Sequence, residues 1–310
     1  SSIAYHLTKM GAEVTVIERD RPAAHASGRN FGWLHASYPT KPHSFHHLLR
    51  LGLLAYHKLE TEIGIDIHWG GSFEWPASKE NQKILAKEIE VQQGYGIPIR
   101  MISGKQAHKL EPNMKFDEEA IIAFSKLDGA VDANKVVNKF LRKTIDFGGQ
   151  VLYPVTYENV KVIAGEIVAV KTSIGEIEAD QVVFACGVDT DELLKIDVLN
   201  TSKSEIILRT QPMKKIIDRV IVHPSFHIHQ QQDGAVIIGA TNPMADTSVG
   251  DLPEVPISHS DRLALMPEVF PDTALEKQHT EMILAIAQQF IPQLEAVKLQ
   301  DVVIGWIPST

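Results

Sequence analysis

A single cysteine, Cys186, stands in 310 residues. No disulfide can close within the chain; this suits a reducing compartment, and a cytoplasmic location is the expectation. No run of about 18 apolar residues occurs, so nothing in view reads as a membrane-spanning helix. Lysines and arginines form no cluster and the formal net charge is −9, which together argue against a nucleic-acid-binding face. A third metal ligand is also missing. His43 and His47 lie four apart on a leucine-rich stretch, the spacing of a two-histidine clamp, but no further donor is placed beside them and no metal is expected. What remains is an ordinary globular composition, 44% hydrophobic and 22% charged, in a chain long enough for two domains.

The chain is organised around residues 11–33, GAEVTVIERDRPAAHASGRNFGW. Val14, Val16 and Ile17 make a short β-branched run of the kind buried on both faces in a parallel sheet. Before it, Ile3, Ala4, Leu7 and Met10 recur at helical spacing, and Gly11 supplies the stop. After it comes Glu18. These pieces suit an ordinary helix and strand of any α/β protein. They also match the second half of a βαβ dinucleotide-binding unit, whose strand-tip acid accepts two hydrogen bonds from a ribose diol. The G-x-G-x-x-G loop of such a unit lies about 20 residues before the acid, ahead of Ser1. The sequence therefore reads as a fragment that holds a dinucleotide poorly, because the helix N-terminus that carries the pyrophosphate is not in it.

Residues 27–33, SGRNFGW, tip the balance. Gly28 and Gly32 let backbone N–H groups approach a phosphate or flavin, and Arg29 and Asn30 can serve anionic oxygens. Here the sequence resembles the FAD-dependent oxidoreductases of the D-amino-acid oxidase type, which include glycine oxidase and sarcosine oxidase. In that family a ribose-binding Glu is followed by small residues ending in a motif like S-G-x-N-x-G. The resemblance implies FAD, with Glu18 and its neighbour Arg19 at the adenosine ribose. It places Ser27, Gly28, Arg29, Asn30 and Gly32 along the pyrophosphate and the flavin. It also implies truncation at both ends.

Further along, residues 42–64 read as a long buried helix and residues 65–76 as a hairpin around Gly70-Gly71. A polar helix follows over 78–94, and Ser103 caps another that ends near Glu111-Pro112. This section lacks the βαβ rhythm and reads as an insertion. The rhythm returns at Asp132, a cap for a helix with Val136, Val137, Phe140, Leu141 and Ile145 on one face and Gly148-Gly149 as its stop. A strand over 150–153 and a meander turning at Ala164-Gly165 and Ile174-Gly175 come next, and then ADQVVFACG as an apolar strand ending on Gly187. In the resembled family the backbone near Val160 contacts the adenine, and Ala185, Cys186 and Gly187 pass close to the dinucleotide. Cys186 also suits a small buried hydrophobe. Relatives have a Trp after that glycine, where this chain has Val188.

Residues 205–222 resume the inserted domain with EIILRTQPMKK, similar to the family's R-G-Q-like strand. Residues 226–241 read as a hairpin turning at Asp233-Gly234. His227 and His229 share one face of its first strand, toward the substrate cavity or on a sheet edge. Residues 258–292 read as mainly helical. The last strand, VVIGWIPST, resembles the family's G-x-R-P-x-T-x-D-G motif, with Ile307 where relatives place the Arg that clamps a substrate carboxylate. Arg29, Arg209 or a histidine such as His35, His227 or His229 would then have to contact substrate, or the substrate lacks a carboxylate there. No catalytic acid or base is named.

The resemblance implies an α/β fold. Its FAD-binding Rossmann-like domain has three layers and a β-meander, and its inserted α+β substrate domain has a mixed, largely antiparallel sheet. The expected division is 1–64, 128–204 and 293–310 for the FAD-binding domain, and 65–127 and 205–292 for the substrate domain. The implied activity is oxidation of a small amine or amino acid, by deamination or demethylation, with hydride transfer to the flavin. An NAD(P)-dependent dehydrogenase and a non-catalytic binding module of the same fold are the alternatives; the meander and inserted sheet favour FAD.

Overall fold

The structure is a computed structural model. It describes all residues except 38–40, 75, 77, 197–200, 241–254, 257–267, 271 and 310. The chain opens with α1 (Ser2–Lys9) and β1 (Thr15–Ile17). A short β2 (Trp33–Leu34) leads to α2 (His43–Ile63), β3 (Ile67–His68), β4 (Ser72–Glu74) and α3 (Lys79–Gly94). Then come β5 (Ile99–Ser103), α4 (Gly104–Leu110), β6 (Ile121–Ser125), β7 (Gly129–Val131), α5 (Ala133–Asp146) and β8 (Gln150–Leu152). The meander is β9 (Tyr157–Ile163), β10 (Glu166–Thr172) and β11 (Gly175–Glu178). After α6 (Thr190–Leu194) follow β12 (Thr201–Thr210), β13 (Val220–His223), β14 (Phe226–Gln230), β15 (Val236–Ala240), β16 (Val255–Pro256), α7 (Thr273–Phe290) and β17 (Leu299–Ser309).

The helix–glycine–strand reading of the first residues holds. Gly11 turns the chain at φ +92°, and β1 pairs in parallel with β8, Val16 opposite Val151. Asp132 caps α5 by accepting from Asn134 N–H at 3.0 Å and Lys135 N–H at 3.4 Å, which satisfies helix donors that have no internal partner. Val136 and Phe140 bury that helix against Tyr5, Ile63 and their neighbours, and Leu141 is buried on it as well. Ser103 caps α4 in a reciprocal pair with Gln106.

Nine strands form the main sheet, in the order β16-β12-β15-β14-β13-β4-β6-β5, with β17 laid along β12. The pairings are antiparallel except β13 with β4, giving the mixed, largely antiparallel sheet of the resembled family. Side chains alternate faces along each strand. Ile206, Leu208, Ile228 and Ile238 point to one side, onto Ile283 and Ala287 of α7. Ile207, Val220 and Ile237 point to the other, under Phe31 and Trp33 of the segment that follows β1. The second face is where the chemistry-bearing residues gather.

Two expectations change. Residues 65–76 are not a hairpin: β3 pairs with β7, whereas β4 pairs with β6 and β13 in the main sheet. The two glycines there serve close passage instead, since a Cβ on Gly70 would stand 2.0 Å from Asp218 O and Gly71 sits at φ +81°. Residues 181–186 form no strand, because no described strand lies alongside to take their backbone hydrogen bonds, and Val183 stays 59% exposed. Residues 201–204 and 299–309 pair with each other along the edge of the main sheet.

Candidate cofactor and substrate site

The strand tip places Glu18. Its backbone is fixed on both sides, the N–H donating to Leu152 O at 3.0 Å and the carbonyl accepting from Val155 N–H at 2.8 Å. Its Oε1 accepts from Asp20 N–H at 2.9 Å, and Oε2 has no partner among the described residues. A half-buried carboxylate held this way, with one oxygen open, has the form needed to accept from a ribose hydroxyl. Arg19 is paired to Asp189 at 2.8 Å. That contact brings the end of β1 beside the turn over Gly187–Asp189. Burial and the carboxylates of Asp189 and Glu18 push the Cys186 thiol up. The residue is exposed, which corrects the reading of a buried hydrophobe. Ala185, Cys186 and Gly187 therefore lie at the Glu18 end of the site. Val160 lies mid-strand in the separate meander, opposite Val170.

Beyond Glu18 the chain folds into a 3₁₀ turn over Ala26–Gly28. Its glycines permit close passage of the backbone. A Cβ on Gly28 would stand 2.1 Å from Ala23 O, and one on Gly32 2.2 Å from Val131 O. The space a side chain would take is filled by protein, and the Gly28 N–H is engaged with His25 O at 2.9 Å. These glycines let the loop pack on α5 and β7. Arg29 also turns inward, donating to Ala24 O at 3.0 Å and Glu268 O at 2.6 Å and pairing with the Glu268 carboxylate at 3.2 Å. Asn30 donates to Ser27 O at 2.7 Å.

The loop roofs a cavity of about 190 Å³. Arg21, Ser27, Gly28 and Asn30 line it from the loop, Asp132 and Asn134 from the start of α5, and Ile207, Arg209, Gln231, Asp301 and Val303 from the sheet. Arg209 donates to Gln231 Oε1 at 2.7 Å and Asp233 Oδ2 at 2.8 Å. It stands opposite Asp301 across the β12–β17 pair, and burial pushes the Asp301 carboxyl up.

His229 and His227 do share the face toward the loop. His229 is fully buried; its Nε2–H donates to Phe31 O at 2.7 Å, and burial pushes it down to about 4, so the ring is neutral. His227 packs edge-on to the Phe31 ring, centroids 4.2 Å apart, and its Nε2 is paired with Glu205. His35 stacks on Trp33, centroids 3.8 Å apart. Its Nδ1 bonds Ser37 O at 2.7 Å, and burial holds it below its usual range. Nearby, buried Asp128 accepts from Trp33 Nε1–H at 3.2 Å and from the Ser72 and Ser125 hydroxyls, each at 2.6 Å. The Ile307 side chain lies outside the described residues. His43 and His47 are 6.4 Å apart between ring centroids, and among the described residues no three metal-type ligands converge.

Sequence reasoning did not single out Glu205, Glu268, Asp128, Gln231 or Asp301. For Glu205 a signal existed: alternation along residues 205–209 puts Glu205, Ile207 and Arg209 on one face, and the Asp-Gly hairpin brings His227 and His229 to the same one. Glu268 and Asp128 are joined to the loop only by long-range contacts that no local pattern announces.

The residues present fit an FAD. Glu18 Oε2 has no partner among the described residues and is open to a ribose hydroxyl, and residues 185–187 lie beside it through the Arg19–Asp189 pair. The whole chain, residues 1–310, matches the family described as FAD dependent oxidoreductase, DAO. The glycine oxidase of Bacillus licheniformis is 26% identical over 329 aligned positions, which cover 100% of this chain and 78% of that protein. Among solved structures, glycine oxidase from Bacillus cereus superimposes with a TM-score of 0.81 at 19% identity, covering 99% of this chain and 79% of that one. L-proline dehydrogenase from P. horikoshii gives 0.80 at 19% identity, covering 100% and 78%. The chain belongs to the DAO family of FAD-dependent oxidoreductases.

Proposed function

We propose that this protein oxidises the C–N bond of a small amine or amino acid, by deamination or demethylation. The observation that carries this is the placement of a polar sheet face, with Arg209, His227, His229 and Glu205, directly under the loop that follows the ribose-binding carboxylate. Bound FAD supplies the two-electron, hydride-accepting chemistry. The chain's own residues do the rest. Glu18 holds the ribose. Ser27 and Asn30, at the cavity wall, hold the cofactor's polar edge. Phe31, fixed through its carbonyl by His229, closes the loop against the sheet and excludes water from the space between. The similar glycine oxidase and the superimposable proline dehydrogenase support this substrate class. A cytoplasmic location belongs to the same reading; among the described residues no helix is long and apolar enough to cross a membrane.

The test is an absorbance spectrum of the protein purified from its full reading frame, followed by anaerobic addition of amines and amino acids. Flavin bands that bleach with a member of the panel are the expected result. A colourless protein that ignores added FAD, or a bound flavin that no amine reduces, would overturn the proposal.

A further inference from the structure

The face of the main sheet under the loop can be followed in rows across the strands. One row runs from Val303 to Ile207, to Gly239, to His227, to Val222 and to Glu74. His227 is the one imidazole in this row. It lies over Gly239, where a Cβ would stand 2.0 Å from its Nε2, so the glycine is what gives the ring its place. Glu205, one step further along β12, pairs with that Nε2, and the two side chains are only 12% and 10% exposed. With Nε2–H donated to the carboxylate, the ring presents the lone pair of Nδ1. Nδ1 has no partner among the described residues, and it is not among the sealed, unsatisfied buried atoms, unlike the Nδ1 of His229.

His229, two residues along β14, is neutral. Glu74 stands across Val222, and no hydrogen bond or ion pair joins it to any described residue. Arg29 is engaged by Glu268 and Arg209 by Asp233 and Gln231, while Arg21 lines the cavity from the loop with no carboxylate partner among the described residues. The carboxylate in direct contact with the ring is Glu205, and it holds the imidazole in the acceptor tautomer beside the loop.

Building on the function proposed above, we propose that the Glu205–His227 pair is the amine-recognition and proton-accepting group of this site, and that its substrate is an alkylamine recognised through its ammonium nitrogen rather than through a carboxylate. In the step assigned to it, an N–H bond of the bound ammonium breaks and the proton passes to His227 Nδ1, forming an imidazolium. The electron pair stays on the substrate nitrogen, which becomes the neutral amine that C–H oxidation requires. The positive charge created on His227 is balanced by Glu205 through the existing Nε2–H bond, the arrangement by which a carboxylate orients and supports an imidazole base.

The test pairs a binding measurement with kinetics on the FAD-loaded protein. tert-Butylamine has no hydrogen on the carbon bearing nitrogen and cannot be oxidised there, so calorimetry at pH 7 reads its binding alone. Glu205→Gln and His227→Asn are each expected to weaken that binding about ten- to a hundredfold while leaving flavin content unchanged. With butylamine, benzylamine, glycine and proline as substrates, the amines are expected to give the higher kcat/KM. The His227→Asn variant is expected to lose about a hundredfold at pH 7 and to recover as rising pH deprotonates the amine in solution. Undiminished tert-butylammonium binding in both variants, an unaltered pH profile in His227→Asn, or a preference for glycine and proline would overturn the assignment. A protein that binds the probe through this pair yet reduces flavin with none of the four compounds would remove the oxidation reading and leave the ammonium site standing.

Discussion

A Cβ on Gly305 would stand 2.1 Å from the carbonyl oxygen of Arg29. Strand β17 therefore touches the loop around Arg29 backbone to backbone, and any side chain at 305 must push that loop away. Gly305→Ala is expected to cost on the order of 1–3 kcal/mol of stability and to weaken FAD binding more than it lowers the melting temperature would suggest. Unchanged Tm and unchanged FAD dissociation would show that the loop yields without consequence.

Glu18 offers one open carboxylate oxygen at the strand tip. Glu18→Ala is expected to raise the FAD dissociation constant about ten- to a hundredfold, the worth of one or two hydrogen bonds to a charged acceptor. Equilibrium dialysis against FAD measures it. An unaltered constant would place the ribose elsewhere.

Asp128 joins three separate elements by accepting from Trp33, Ser72 and Ser125. Burial pushes its carboxyl up against the effect of those donors. Asp128→Ala leaves three donors without an acceptor and is expected to destabilise the fold by roughly 3 kcal/mol. Urea denaturation reads the change, and Asp128→Asn, which keeps one acceptor oxygen, should lose less.

His229 is neutral in the fold down to about pH 4, against an ordinary value of 6.5. The unfolded chain therefore binds a proton that the folded chain refuses, and stability falls as pH drops from 6.5 toward 4, by about 3 kcal/mol at the limit. His229→Gln keeps a donor for Phe31 O without the titration. Its Tm should lose less than wild type between pH 6.5 and 4.5, and parallel losses would count against the assignment.

Glu74 works in the opposite direction. Burial, with Glu88 and Asp128 nearby, pushes its carboxyl from 4.5 up to about 7. The folded state holds the proton more tightly, so this contribution is fully present below pH 4.5 and is lost as pH rises through about 7. Glu74→Gln should be relatively more stable than wild type at pH 8 and gain nothing at pH 4.5. Tm values at those two pH values decide it.

Much of the fold was legible because its signals are local. Asp132 as a cap, the glycine turns of the meander, the Asp-Gly hairpin and the β1 run each lie within a few residues of what they determine. The errors come from glycine and from apolar runs, whose meaning depends on distant neighbours. Gly70-Gly71 resembled a turn because φ > 0 is permitted there, but the chain uses them to pass close to Asp218 O. Residues 181–186 read as a buried strand, yet apolar character does not create a pairing partner. In the site, the face carrying His227 and His229 could be read from alternation. The inward turn of Arg29 could not, because Glu268 lies 239 residues away.

The pairing of β12 with β17 also sets the order in which the molecule can be completed. Thr210 and Leu299 are separated by about 90 residues, so at about 5–20 residues per second of synthesis β12 waits roughly 5–20 s for its neighbour. During that interval Ile206, Ile207 and Leu208 lie on an unpaired edge, the form of strand most open to association with other chains. Gly305 and Arg29 cannot meet until the last strand docks. The cavity thus acquires its shape only after β17 has been made, and until then this edge is a place where a chaperone would act.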